Sequence, residues 1–177
     1  MTARRIHFVG ASGSGTTTLA AALAQRLDVR HYDTDSYFWY PTDPPFEKIR
    51  SQDERYALMD PDLAHDAWTL SGSLCGWGDV YIPRFDLVVF CAVPERVREA
   101  RLRARERRRY GDAIDRTLRE KSEAFIAWAM SYEAGPTTQR SRIRHEAWLA
   151  TLPCPVLRLE DMDDVATRLE EVMAACR

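Results

Sequence analysis

Lysine is almost missing from this chain: Lys48 and Lys121 are the only two, and every other one of its 25 basic side chains is arginine. The simplest reading is a compositional bias of the genome, although a guanidinium also suits bidentate phosphate contacts better than an ammonium. An excess of positive charge is missing as well. The net charge of −2 gives no global basic field for nucleic acid or an anionic membrane. No apolar run is long enough to span a bilayer, and the one in "MTARRIHFVG" is too short for a secretion signal. Cys75, Cys91, Cys154 and Cys176 form no C-x-x-C pair and have no histidine at zinc spacing. These absences predict a reduced, cytoplasmic chain with no structural metal, no nucleic-acid partner and no membrane association. There is no internal repeat and no low-complexity segment. Glycine is sparse, at eight residues, and six of these fall in two short stretches, 10–15 and 72–78.

At 177 residues and 45% apolar content, the chain fits one domain with a proper core. Short apolar runs alternate with helical stretches. Strands are predicted at 5–9, 29–33, 67–73, 85–93 and 154–160. The run "FDLVVFCAV" is apolar on both faces, as a central parallel strand should be. Helices are predicted at 16–27, at 51–60 up to Pro61, at 94–111 with Gly111 as the stop, at 115–135, at 137–151 capped by Thr137 or Thr138, and at 164–176. "PTDPPF" at 41–46 cannot be regular structure. Strands alternating with helices imply a parallel α/β sandwich, whose ligands sit at the carboxyl ends of the strands. The loops after residues 9, 33, 71 and 93 are therefore the ones to read.

The first of them, "GASGSGTT" at 10–17, follows a strand and opens a helix. Phosphate binding needs N–H groups converging on an anion at a helix N-terminus, with glycines that allow positive φ and close approach. Gly10 and Gly15 have the spacing of G-x-x-x-x-G-K-[ST], and Thr17 fills the last slot as a magnesium ligand. Thr16 stands where the lysine belongs. Gly10, Ser12, Gly13, Ser14, Gly15, Thr16, Thr17 and Thr18 are thus the candidate nucleotide phosphate site. The absent lysine removes a point charge on the β- and γ-phosphates, not the backbone nest.

A loop of this type, then "DTDSYFW" after the second strand, then an arginine-rich helix after the fourth, resembles the nucleoside monophosphate kinase and shikimate kinase group, including bacterial adenylate-kinase-related proteins. The resemblance covers nearly the whole chain in order. It implies a P-loop NTPase three-layer sandwich: a five-stranded parallel sheet with helices on both faces and a short lid. It also implies ATP and Mg²⁺ as cofactors, an acceptor-binding segment near 34–66 and a lid near 103–118. The chain departs from the group at Thr16 and at Ser71, which occupies the slot of an acidic residue.

Asp33 and Asp35 fall on one side of the chain if strand alternation persists through them. The resemblance gives such a pair to magnesium, with Asp35 as ligand, and to the acceptor hydroxyl; the bland reading is a solvated turn or helix cap. The aromatic, proline-rich 36–46 segment either clamps a ring or sugar or packs on the next helix. Arg50, with Lys48 and Arg55, either holds an anionic acceptor group or is surface charge. In "SGSLCGWGD" at 71–79, Gly72 and Ser73 are expected to line the acceptor pocket through backbone N–H groups, and Trp77 and Asp79 to touch the acceptor. Arg101, Arg105 and Arg109 share a helix face, with Arg103 and Arg107 on a second stripe. That pattern is usually a solvated face, but at a kinase lid Arg105 and Arg109 would clamp the transferring phosphoryl group. His145 is expected to be structural or on the surface.

The sequence therefore predicts a monomeric or homodimeric phosphotransferase. Asp33, Asp35, Arg105 and Arg109 are catalytic, Arg50, Gly72, Ser73 and Trp77 bind a small-molecule acceptor, and Thr17 and Asp35 hold the metal. The alternative is a nucleotide-binding regulator or slow NTPase that kept the loop without its lysine.

Overall fold

The structure, a computed structural model, describes residues 3–111, 116–160 and 164–177. Five strands form one sheet: β1 (Arg5–Gly10), β2 (Arg30–Asp33), β3 (Trp68–Ser71), β4 (Leu87–Cys91) and β5 (Val156–Leu159). Their spatial order is β2-β3-β1-β4-β5, and every pairing is parallel. Parallel strands need crossovers: α1 (Thr16–Leu27) joins β1 to β2, α2 (Thr34–Phe38) and α3 (Gln52–Leu63) join β2 to β3, α4 (Glu95–Tyr110), α5 (Arg116–Met130) and α6 (Arg142–Leu149) join β4 to β5, and α7 (Val165–Ala175) follows β5. A 3₁₀ turn spans Asp79–Arg84.

The central strands are buried on both faces, so alternate residues feed two cores. Ile6, Phe8, Val89 and Cys91 pack under Leu19 and Leu23 of α1 and Val172 of α7. Val9, Leu70, Val88 and Phe90 pack against Met59 and Leu63 of α3 and Trp148 and Leu149 of α6. This is the expected three-layer sandwich. A small third cluster, Leu102, Ile126 and Ala129, joins α4 to α5.

Three sequence expectations change. The third helix runs through Pro61 to Leu63, where the sequence predicts a stop. Burial of Met59 and Leu63, on either side of the proline, outweighs one lost hydrogen bond, and a Ser51–Glu54 capping box secures the start. The helix predicted at 137–151 is shortened to α6. Its cap is Ser141, whose Oγ accepts from the N–H of Arg144 at 3.3 Å; Thr137 and Thr138 lie in the preceding turns. Strand alternation does not persist past Asp33. Its carboxylate accepts from the N–H of Asp35 at 3.0 Å and caps α2, so the chain turns helical at once. Part of the expected lid, residues 112–115, lies outside the described residues.

Candidate active site

At the carboxyl end of β1, the chain leaves the sheet at Gly10 and enters α1 at Thr16. Gly13 and Gly15 hold φ of 83° and 87°, left-handed values that a side chain resists. At Gly10 a Cβ would run into the backbone of Cys91 and the hydroxyl of Ser14. No side chain caps α1, whose N-cap is Gly15. Its first N–H groups and its dipole therefore face the cleft, as an anion site requires. The cleft is about 1020 Å³, and its walls include Gly10–Gly13, Gly15–Thr18, Asp33, Asp35, Arg101, Arg105 and Arg109.

Beside the loop, Thr17 Oγ1 donates to Asp33 Oδ2 at 3.0 Å, and Ser71 Oγ donates to the same oxygen at 3.1 Å. His31 Nε2 meets Ser71 Oγ at 3.0 Å. The register of β2 on β3 places Asp33 opposite Ser71, so a carboxylate from the neighbouring strand stands beside the slot that the resemblance gives to an acidic residue. Thr17 and Asp33 are hard oxygen donors of the kind Mg²⁺ takes, with phosphate oxygens and water filling its other positions. Among the described residues no cluster of three His, Cys, Asp or Glu forms; a magnesium site of this kind needs none. The carboxylate that reaches Thr17 is that of Asp33 rather than Asp35, the metal ligand implied by the resemblance.

Asp35 faces the same cleft one helical residue further on. The surrounding walls desolvate its carboxyl and the charge of Asp33 repels it, which together raise its pKa; the cations of Arg140, Arg105 and Arg109 oppose the rise. A smaller pocket of about 350 Å³ opens beside Asp35 between Arg55, Arg140, Arg144, Ser73, Trp77 and Phe38. Three guanidiniums and one carboxylate thus surround a space bordered by aromatic rings. Arg55 stacks on Phe38 at 4.1 Å and faces Trp77 at 5.3 Å.

No family model matches the chain. It is 44% identical over 173 residues to the protein of Bacillus subtilis (strain 168) described as "Uncharacterized protein YqaC", with 96% of each chain covered. The chain belongs to the YqaC family. Solved structures share the fold at lower identity. A shikimate kinase from Acinetobacter baumannii in complex with shikimate matches at TM-score 0.61 and 15% identity over 97% of this chain and 92% of that one. A shikimate kinase from Bacteroides thetaiotaomicron matches at 0.58 and 17%, covering 98% of each. A gluconokinase from Sinorhizobium meliloti 1021 matches at 0.52 and 16%, covering 98% and 91%. The fold of this YqaC-family chain is that of the P-loop kinases.

Several expected site residues border the cleft or its smaller pocket but have their polar groups engaged within the protein. Gly72 does not offer its N–H to a ligand, because that group donates to Phe8 O at 3.0 Å. Its glycine has another cause: φ is 103°, and a Cβ would collide with the hydroxyl of Thr34. Ser73 is buried and bonds His145 Nε2 at 3.1 Å, while Tyr132 bonds Nδ1 at 2.9 Å. His145 is thus structural, and burial holds its pKa down to about 3. Trp77 borders the pocket with its indole N–H on Ser73 O at 2.8 Å. Asp79 faces Trp148 Nε1 and Gly76 N instead of an acceptor. Arg50 borders the main cleft, with its guanidinium donated to the carbonyls of Ser36, Tyr37 and Trp39 at the end of α2.

Arg105 and Arg109 both face the cleft, held from below by the buried Glu106 at 3.7 and 3.2 Å. Burial, then the neighbouring Arg109, lowers the pKa of Arg105. Arg103 is paired with Glu99 and Glu123, as a solvated stripe would be. On the facing bank, Phe46 lies under Arg109 at 5.0 Å, and Glu47 pairs with Lys121 of α5 at 2.7 Å.

Sequence reasoning missed two arginines, Arg140 and Arg168, and the position of a third, Arg101. Arg140 stands in the turns before α6, over Trp128 at 5.7 Å, and is the first of the cations acting on Asp35. Arg101 was seen only as part of a stripe, yet its Nη1 donates to Gly13 O at 3.3 Å. Arg168 of α7 donates to Ser14 O at 2.9 Å. Arg140 and Arg168 sit in no motif; only the fold brings Arg168 to the loop and Arg140 to Asp35.

Proposed function

We propose that the protein is a cytoplasmic, ATP- and Mg²⁺-dependent phosphotransferase. It moves the γ-phosphoryl group to a small hydroxyl- or phosphate-bearing acceptor such as a nucleotide or metabolite. The observation that carries this reading is the Thr17–Asp33 bond beside the glycine loop, with a second carboxylate, Asp35, facing the same cleft. The loop from Gly10 to Thr18 would hold the phosphates. Thr17 and Asp33 would hold Mg²⁺, which when bound neutralises charge on the phosphate oxygens. Asp35 accepts a hydrogen bond or proton from the acceptor hydroxyl, and its raised pKa makes it a better base than a free carboxylate. Arg55, Arg140 and Arg144 suit an acceptor that carries a carboxylate or phosphate. Arg105 and Arg109 stabilise negative charge on the group in transfer.

A second reading rests on Thr16: a regulator or slow NTPase that kept the nest without the lysine. Single-turnover assays with labelled ATP and a metabolite panel separate the two. Label on an acceptor supports the phosphotransferase; label released only as inorganic phosphate overturns it in favour of the NTPase.

A further inference from the structure

Arg168 stands on α7 directly behind the glycine loop and is 1% exposed. One of its nitrogens, Nη1, donates to Ser14 O at 2.9 Å. Its Nε and Nη2 are buried with no oxygen or nitrogen partner, the thiol of Cys91 being the polar group beside the guanidinium, and among the described residues it forms no ion pair. Cys91, close by, is no counter-charge: burial pushes its thiol up to about 11, so it stays neutral. A buried guanidinium without an anion is costly to keep. The anion it lacks is of the kind the loop in front of it is shaped to receive.

We propose that Arg168 supplies the positive charge Thr16 cannot, acting through the Ser14–Gly15 peptide on a bound polyphosphate. This rests on the reading of the loop as a phosphate site. Ser14 C=O and Gly15 N–H belong to one peptide unit. A guanidinium on that oxygen polarises the amide and strengthens the N–H as a donor toward an anion. The nitrogen is also close in space: a Cβ at Gly15 would sit 3.4 Å from Arg168 Nη1 and 3.6 Å from Arg101 Nη1. Arg101 Nη1 donates to Gly13 O, but the N–H of that peptide, on Ser14, is turned to Ala11 O at 3.1 Å, so Arg101 adds positive charge beside the loop without sharpening a donor of its own. Arg105 and Arg109 are less suited to the task, because Glu106 holds both of them. Arg168 is a positioning residue, and the ligand class is an inorganic or nucleoside triphosphate.

The test is calorimetric titration with Mg²⁺–ATP and with Mg²⁺–tripolyphosphate, alongside thermal unfolding. The proteins are wild type, Arg168→Met, Arg101→Gln, Thr16→Lys and the double variant Thr16→Lys/Arg168→Met. Arg168→Met is expected to bind both ligands on the order of tenfold more weakly, while its ligand-free unfolding temperature stays level or rises. Thr16→Lys is expected to restore most of that loss, so the two substitutions are not additive. Arg101→Gln provides the same readout if Arg168→Met does not fold: a smaller loss, also repaired by Thr16→Lys. Wild-type affinity with a lowered unfolding temperature would make Arg168 an ordinary structural arginine and overturn the proposal alone. Additive losses would overturn it too. A wild-type protein that binds neither ligand overturns the phosphate-loop reading itself, and this proposal with it.

Discussion

The hydroxyl of Thr17 and the carboxylate of Asp33 are joined by a hydrogen bond of 3.0 Å. The pair ties the first turn of α1 to the end of β2. In Asp33→Asn, the gain in ATP affinity on adding Mg²⁺ should fall at least tenfold, while metal-free binding changes little. ATP titration with and without Mg²⁺ measures this. An unchanged magnesium effect would move the ion away from Asp33.

Asp35→Asn should leave ATP binding nearly intact and slow phosphoryl transfer by about 100-fold or more, the usual scale for a lost general base. The stability effect runs the other way. The folded pKa of Asp35 is raised, so the folded state binds its proton more tightly than the unfolded chain. Stability from this group is present at low pH and lost as pH rises through that raised pKa. Asp35→Asn should therefore unfold at a higher temperature than wild type at pH 7 and lose that advantage in acid. A variant that is active, or less stable at pH 7, would remove Asp35 from the proposed role.

Arg140→Gln should weaken acceptor binding more than ATP binding. It removes the first of the cations that hold the pKa of Asp35 down, so the acid limb of the rate profile should move to higher pH. An unshifted profile measured across pH 4–8 would separate the two residues.

Gly72→Ala should cost roughly 2–3 kcal/mol, from backbone at φ of 103° and a collision with Thr34. Thr34→Ala in the same chain should recover part of it, by removing the collision and leaving the strained backbone. Urea unfolding of wild type, Gly72→Ala and the double variant checks both statements.

His7 is fully buried, stacked on Phe85 at 4.9 Å, with its pKa lowered from 6.5 to about 4 by desolvation. The unfolded chain takes up the proton first. Stability from His7 is complete above pH 6.5 and is lost toward pH 4, at about 1.4 kcal/mol per pH unit. His7→Phe should flatten the curve in that window, with His145 left to supply the remaining slope. Denaturant unfolding at half-unit pH steps would show it; identical slopes would mean that His7 ionises in place.

The sheet, its parallel order and the glycine loop were legible because each rests on local pattern: apolar runs, glycine spacing and a strand feeding a helix. Asp33 and Asp35 were found, but their relation was not. Alternation put them on one side, whereas the carboxylate of Asp33 caps α2 and turns the chain helical before Asp35. Gly72 shows the same limit. Its glycine answers to Thr34, 38 positions earlier, which no local pattern reveals. Arg140 and Arg168 were invisible for the same reason. Helix α7 reads as an ordinary amphipathic helix until the sheet order lays it behind the loop.

The pair of Glu47 and Lys121 joins the two banks of a pocket of about 400 Å³ beside the main cleft, and each partner is about half exposed. Such a bond is worth under about 1 kcal/mol, a preference of roughly fivefold at most. It sets a resting posture and makes no barrier. Thermal motion breaks the pair readily, and physiological salt weakens it further. The ion pair alone therefore does not hold the banks together, and a molecule that bridged them from Trp39 to Arg109 would add more to the hold than the pair does.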